Sequence, residues 1–224
     1  MRVLQFRALL VLAFAAAASG CMGMDNVHGS GKVITDKRSV SGFTGVEVSG
    51  DAKVVIEPGD TESVEVVADD NLMQYLDAEV RDSKLVLGPK NLTSLAPTER
   101  VTYRIVAKTL KSLDASGSVS VEAKGVQTDS LSVSVSGSGE IEISGEAKEQ
   151  KVVISGSANY EAENLNSRDA SITISGSGNA VVAVSDKLDV QVSGSGNVEY
   201  IGSPQVTKSI SGSGSVNPID RRKA

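Results

Sequence analysis

Ile174-Ser175-Gly176-Ser177-Gly178-Asn179-Ala180 is one copy of a pattern that recurs along the second half of the chain. Ser-Gly-Ser is centred on Gly117, Gly137, Gly156, Gly176, Gly194 and Gly212, at spacings of 20, 19, 20, 18 and 18 residues. A fixed period near this length marks a stacked-repeat architecture. Two residues before each glycine stand Ala115, Val135, Ile154, Ile174, Val192 and Ile210. Four residues after it stand Val121, Ile141, Tyr160, Ala180, Val198 and Val216. The positions two after are small, from Gly139 and Ala158 to Gly214, except Val119, and both immediate neighbours are serine in every copy. Apolar residues thus fall on alternate positions, the period of a strand with one buried face, and no helical period fits. An upstream copy is centred on Gly50. Val46, Val48, Ala52, Val54 and Ile56 hold its apolar positions, and Asp51 replaces the second serine.

The pattern predicts an all-β fold. If repeats stack about 4.8 Å apart, equal positions form columns. On this reading the glycines give room for a bend and a close backbone approach on the inner face. The serine hydroxyls, which both donate and accept, would form ladders between repeats. Uniform columns favour a right-handed β-helix or β-roll-like stack with one 18–20-residue Ser-Gly-Ser repeat per rung. An antiparallel β-sandwich of hairpins is the alternative. Residues 57–110 interrupt the repeat. Val64–Val67, Glu79–Arg81, Lys84–Leu87 and Val101–Val106 read as strands, Asp69 to Leu76 as a helical turn capped by Asp69, and Pro89 to Pro97 as a loop.

The start of the chain has a different character. Arg2 and Arg7 precede and enter an apolar stretch, Ala8 to Ala18 is uninterrupted, and Ser19, Gly20 and Cys21 follow. A positive start, a short apolar run and small residues make a secretion signal, and the run is too short to span a bilayer. Ala18-Ser19-Gly20-Cys21 resembles the lipobox of bacterial lipoproteins, although Leu is usual where Ala18 stands. The resemblance implies that the Cys21 thiol takes a lipid, becomes the new N-terminus and is acylated, for example with palmitate. Cys21 is the single cysteine of the chain, and a lone thiol in a secreted protein otherwise lacks an explanation. The expected organisation is a signal peptide at 1–20, a flexible tether at 21–32, a β domain at 33–217 and a tail at 218–224.

Gly29-Ser30-Gly31-Lys32-Val33, the run from Arg38 to Gly50, Val67-Ala68-Asp69-Asp70-Asn71-Leu72 and the Ser-Gly-Ser-Gly repeats occur in the order found in one bacterial family. Over nearly all of 30–217 the chain resembles the head GIN domain, an auto-transporter adhesin family also described as a domain of unknown function. The resemblance implies a β-helix-like fold and a role in adhesion. It supplies no catalytic or ligand-binding residues to carry over.

Composition narrows the chemistry. The formal net charge is −6, and losing Arg2 and Arg7 with the leader makes the body more acidic still, which argues against a nucleic-acid partner. Trp is absent and aromatics are 3% of residues, which disfavours a cleft that stacks sugars on aromatic rings. His28 is the only histidine, so no His-based triad or multi-His metal site can form. The repeated serines occupy equivalent places with no base beside them and read as structural. Calcium-binding rolls need Asp beside glycine in repeat after repeat, and here Asp51 stands alone. Asp69, Asp70 and Asp77 read as surface acids. Glu140, Glu142, Glu161, Glu163 and Glu199 point outward on this reading, as paired carboxylates of a glycan-cleaving enzyme would.

The expectation is a membrane-anchored envelope lipoprotein with an adhesin-like or structural role, no catalysis, no cofactor and no metal. Its partners would be the membrane, through lipidated Cys21, and a glycan or other cell-surface ligand. Met22 after Cys21 favours the outer membrane by analogy with enterobacterial sorting. Two alternatives stand beside it: a polysaccharide-acting β-helix enzyme, and a periplasmic lipoprotein with a structural or stress-related role.

Overall fold

The computed structural model describes residues 26–90 and 94–220. The expected signal segment, 1–20, and the expected lipobox residues Ala18, Ser19, Gly20 and Cys21 lie outside the described residues. In chain order the strands are β1 (Val27–His28), β2 (Val33–Arg38), β3 (Gly45–Pro58), β4 (Ser63–Asp69), β5 (Leu76–Arg81), β6 (Lys84–Pro89) and β7 (Leu95–Ala96). They continue as β8 (Val101–Ala107), β9 (Ser112–Gly156), β10 (Asn159–Gly176), β11 (Asn179–Gly194), β12 (Asn197–Ile201), β13 (Gln205–Gly212) and β14 (Ser215–Pro218). A 3-10 turn spans Met73–Tyr75. The fold is all-β, as the alternation predicts.

All strands except β1 and β7 belong to one mixed 12-stranded sheet. Within it the repeats pair parallel and in register. Gly156 faces Gly176, Gly176 faces Gly194, Gly194 faces Gly212, and in the upstream copy Gly50 faces Gly117. Parallel neighbours one repeat apart require the chain to travel round and return on top of itself, whereas a tight hairpin gives an antiparallel pair. Among the described residues antiparallel pairing is confined to β2 with β4, β4 with β8, and β5 with β6. These strands include those expected within 57–110. They extend the stack beyond β3: β6 lies along its first half and β8 along its second. Asp82 and Ser83, both at positive φ, form the two-residue turn between β5 and β6.

One continuous core runs from Phe43 to Val216. Its columns are those read from the sequence. Val152, Ile172 and Val190 stack in register, as do Ile154, Ile174 and Val192, and all six are buried. One repeat cannot cover its own inner face, so burial here is shared between repeats. The column ends at Lys208, which pairs with Val190, and Ile210 beside it is 37% exposed. A charge on the inner side of an edge strand disfavours addition of another strand.

The close backbone approach expected at the glycine column is present, but it runs along the stack. A Cβ on Gly137 would lie 2.5 Å from the carbonyl oxygen of Gly117, and φ at Gly137 is +118°. The same collision with the preceding glycine recurs at Gly156, Gly176, Gly194 and Gly212. The obstruction therefore points along the stack, backbone against backbone, and not into the interior. The serine columns also differ. Ser157, Ser177, Ser195 and Ser213 donate their main-chain N–H to the carbonyls of Gly137, Gly156, Gly176 and Gly194, each at 2.9 Å. Among the described residues no hydroxyl–hydroxyl bond links the serines. The side-chain ladder lies three residues after the glycine. Asn179 Nδ2 donates to Asn159 Oδ1 (3.1 Å), Asn197 Nδ2 to Asn179 Oδ1 (3.1 Å), and Ser215 Oγ to Asn197 Oδ1 (2.8 Å). A planar amide both gives and takes along one axis, and the main chain already holds the serines in place.

The flexible tether expected at 21–32 does not extend through its described part. β1 pairs parallel with β7. Val27 N–H donates to Ser94 O at 3.0 Å and Gly29 N–H to Ala96 O at 2.9 Å. Asp69, expected as a surface helix cap, is fully buried, and the 3-10 turn has no side-chain cap. Asp69 accepts the Gly31 N–H (2.8 Å), the Thr98 N–H (2.9 Å) and the Thr98 hydroxyl (2.7 Å). Its neighbours complete the clamp: Asp70 accepts Ser30 Oγ at 2.6 Å and sits 3.3 Å from Lys32 Nζ, and Asn71 bonds Ser30 N–H and His28 O. Buried N–H groups outside a ladder need acceptors, and a carboxylate supplies them. Hydrogen bonds from Thr98 and Gly31 hold the Asp69 carboxyl below the usual carboxylate range.

Gly137→Ala should lower stability by about 1–3 kcal/mol through backbone strain alone, whereas Ser138→Ala should stay within about 0.5 kcal/mol; urea unfolding of the two variants reads the difference. Because the folded-state pKa of Asp69 is depressed, its contribution is fully present above its unfolded value, about 3.9, and is lost as pH falls through the lower folded value. Asp69→Asn should therefore flatten the acid limb of stability below about pH 4, as measured by unfolding across that range.

Candidate binding groove

Each repeat bends twice. The first bend is the glycine column. The second lies about half a repeat later, and there glycine is intermittent: Gly145 and Gly202, both at positive φ, press on the carbonyl oxygens of Val126 and Val184, whereas Leu165 sits on Gly145 and Asn166 on Ala183. Side chains from successive passes at this second bend line an open groove of ≈ 870 Å³. Thr109 and Lys111 stand at one end. Thr128 and Asp129, Glu146 and Lys148, Asn166 and Arg168, then Ser185 and Ser203 follow, with buried Ala147 and Val184 beneath. Successive passes about 4.8 Å apart make the groove about 24 Å long.

Its charges are held in place by one another. Lys148 Nζ lies 2.6 Å from Asp129, and Arg168 lies 2.8 Å from Asp169 and 3.8 Å from Glu149. The Lys148 ammonium bonded to it keeps the Asp129 carboxyl below its ordinary range. Lys148 and Asp129 are both largely exposed, so the pair adds little to stability.

The floor is held by a buried polar network. Gln150 and Ser167 are buried polar residues, and Tyr160 is fully buried. Gln150 Nε2 donates to Ser167 Oγ (2.5 Å), Ser167 Oγ donates to Ala183 O (2.8 Å), and Tyr160 OH donates to Gln150 Oε1 (3.1 Å). Burial pushes the Tyr160 phenol well above its ordinary range, so it remains a donor. This network ties consecutive repeats together directly under the groove, in surroundings where a polar group without its partner is costly.

The outward glutamates do not form a single row. Glu140 pairs with Asn159 and Glu142 with Glu161, but Val181 stands between Glu161 and Glu199, and Glu163 falls at a register shift. Glu161 and Glu199 flank the asparagine ladder in a separate hollow of ≈ 300 Å³. Asp69 and Asp70 belong to the N-terminal clamp, Asp77 meets Arg81 at 3.2 Å, and Asp51 meets Arg100 at 2.6 Å. Among the described residues no three His, Cys, Asp or Glu side chains are grouped to hold a metal. No helix among them is long and apolar enough to cross a membrane. The seven glycines Gly50, Gly117, Gly137, Gly156, Gly176, Gly194 and Gly212 form one column at the first bend, away from the groove. The groove residues share no single identity, although Ser167, Ser185 and Ser203 recur at 18-residue intervals, and polarity at a loosely kept offset is the signal that marks them in the sequence.

The family described as "Putative auto-transporter adhesin, head GIN domain" matches residues 42–204. Among solved structures, a putative adhesin from Bacteroides fragilis is 20% identical with a TM-score of 0.70, covering 87% of this chain and 100% of its own. A putative lipid binding protein from Parabacteroides distasonis is 27% identical with a TM-score of 0.57 over 87% of this chain and 100% of its own. A putative adhesin from Parabacteroides merdae is 21% identical with a TM-score of 0.52, covering 87% and 99%. No curated protein matches the chain.

Tyr160→Phe leaves the Gln150 carbonyl oxygen without its donor and should cost about 1–3 kcal/mol. Asn179→Ala, on the exposed ladder, should cost less than about 1 kcal/mol. Thermal and urea unfolding of both variants check the ranking.

Proposed function

The chain belongs to the head GIN domain family, and from that premise we propose that it is an adhesin-like binding protein of the bacterial cell envelope, anchored by a lipid on Cys21 and without a catalytic role. The observation that carries the reading is the groove at the second bend. It presents hydroxyls, amides and charges at the pitch of the stack, on a floor locked by Gln150, Ser167 and Tyr160. A long, regularly spaced polar surface on a rigid repeat suits an extended polymer bearing hydroxyl and carboxylate groups, such as an envelope or matrix glycan. Lys111, Lys148 and Arg168 would meet its acidic groups, and Thr128, Asn166, Ser185 and Ser203 its hydroxyls. With no Trp in the chain, recognition rests on hydrogen bonds that are individually weak and add up along the polymer.

In the groove Lys148 engages Asp129 as an ion pair and keeps its carboxyl below the ordinary range, so Asp129 serves as an acceptor and not as a general acid. The anchor reading rests on Ala18-Ser19-Gly20-Cys21 and the absence of a second cysteine.

The test is binding of the secreted domain, without its leader and Cys21, to immobilised envelope and matrix glycans. Replacing both Lys148 and Arg168 by Ala should weaken binding about tenfold, or about 1.4 kcal/mol, while Asn179→Ala at the other bend leaves it unchanged. Turnover of the bound glycan, or full binding by the double variant, defeats the proposal. In cells, Cys21→Ser should move the protein from the membrane fraction to the soluble fraction. Protease treatment of intact cells carrying a tag after Ala224 then distinguishes the surface from the periplasm.

A further inference from the structure

Building on lipidation of Cys21, we propose that the domain is mounted close against the bilayer, with the end of the stack that carries β1 and β7 facing the lipid and the C-terminal repeat pointing away. The argument starts from the clamp. A chain free from Cys21 to Lys32 would reach about 40 Å, at about 3.5 Å per residue. The structure shortens that reach. β1 is paired with β7, and Gly31, Ser30 and Lys32 are bonded to Asp69, Asp70 and Asn71. Asp69, the acceptor at the centre, is fully buried. Gly29 passes so close over it that a Cβ would collide with the Asp69 carboxylate. Pairing with the domain therefore begins by Val27, and a chain from Cys21 to Val27 extends at most about 21 Å.

The clamp sits at one end of the stack. β4, which carries Asp69, and β2 lie at one limit of the sheet order, and β14 lies at the other. From Gly50 to Gly212 the glycine column takes six steps of about 4.8 Å, or about 29 Å. A lipid attached within about 21 Å of β1 thus holds the exposed side chain of Gln74, in the 3-10 turn beside the clamp, far nearer to the membrane than that of Ser213 in the last repeat. The partner of this face is the lipid surface itself. The groove then runs away from the membrane, with the Lys111 end nearer the lipid and the Ser203 end farther out.

Energy transfer to a dye-bearing lipid reads this arrangement. The full-length lipidated chain, carrying a donor on Gln74→Cys or Ser213→Cys, is reconstituted into vesicles of phosphatidylethanolamine and phosphatidylglycerol. Transfer should be several-fold stronger from position 74 than from 213. A flexible Gly/Ser insertion of about twelve residues between Asn26 and Val27, adding about 40 Å of reach, should abolish most of that difference without touching the fold. Asp69→Ala, which releases the clamp, should do the same. Equal transfer from both positions in the uninserted protein overturns the mounting and leaves the lipid anchor standing. A chain whose Cys21 carries no lipid by mass spectrometry, and which stays in solution, removes the anchor and the mounting together.

Discussion

Each repeat rests on the one before it through main-chain contact at the Ser-Gly-Ser bend. The N–H of the second serine reaches the glycine carbonyl of the repeat beneath, and the glycine has no room for even a methyl group in that direction. This spacing sets everything above it. It aligns the aliphatic columns so that Ile154 meets Ile174 and Ile174 meets Val192, and it brings the asparagine amides to bonding distance. Hydrophobic burial supplies most of the driving force. The glycine contact decides the register in which that burial occurs, because a slip by one residue would turn every apolar side chain to the wrong face.

The two bends of the repeat obey different rules, and that difference separates stability from function. At the first bend every repeat needs the same residue, since backbone meets backbone. At the second bend side chains project outward, and their identity is free to change from repeat to repeat: Asp129, Lys148, Arg168 and Ser185 occupy related places. The outward side chains of such a surface can be altered one at a time without disturbing the stack, whereas Gly145 and Gly202, which meet backbone as the first-bend glycines do, cannot. The Gln150–Ser167–Tyr160 network lies between the two regimes, a polar insertion in the core that stiffens the floor where the wall is variable.

A stack of parallel strands has two open ends, and the chain closes them by different means. The strands from β2 to β8 cover the first repeat and bring antiparallel pairing with them. The last repeat carries Lys208 where its neighbours carry Val190 and Ile172, so further growth would bury a charge. The Asp69 clamp belongs to the first end. It turns a glycine-rich segment that looks like a linker into an ordered part of the domain, and so decides where the chain leaves it.

The sequence by itself determined the all-β class, the repeat and its length, the buried columns and most strands of residues 57–110. These follow from local rules, alternation of period two and turn residues at fixed intervals, which a single chain displays openly. Tertiary structure alone decided three other matters. The glycines are required by a neighbour about 20 residues away in the chain, so the sequence shows that they recur but not which atom excludes a side chain. Asp69 reads as a helix cap because its donors, Gly31 and Thr98, are 38 and 29 residues distant. The groove is assembled from two or three residues per repeat with no single shared identity. Contacts between residues far apart in sequence leave no local period to read, and in this protein the candidate binding surface is made entirely of them.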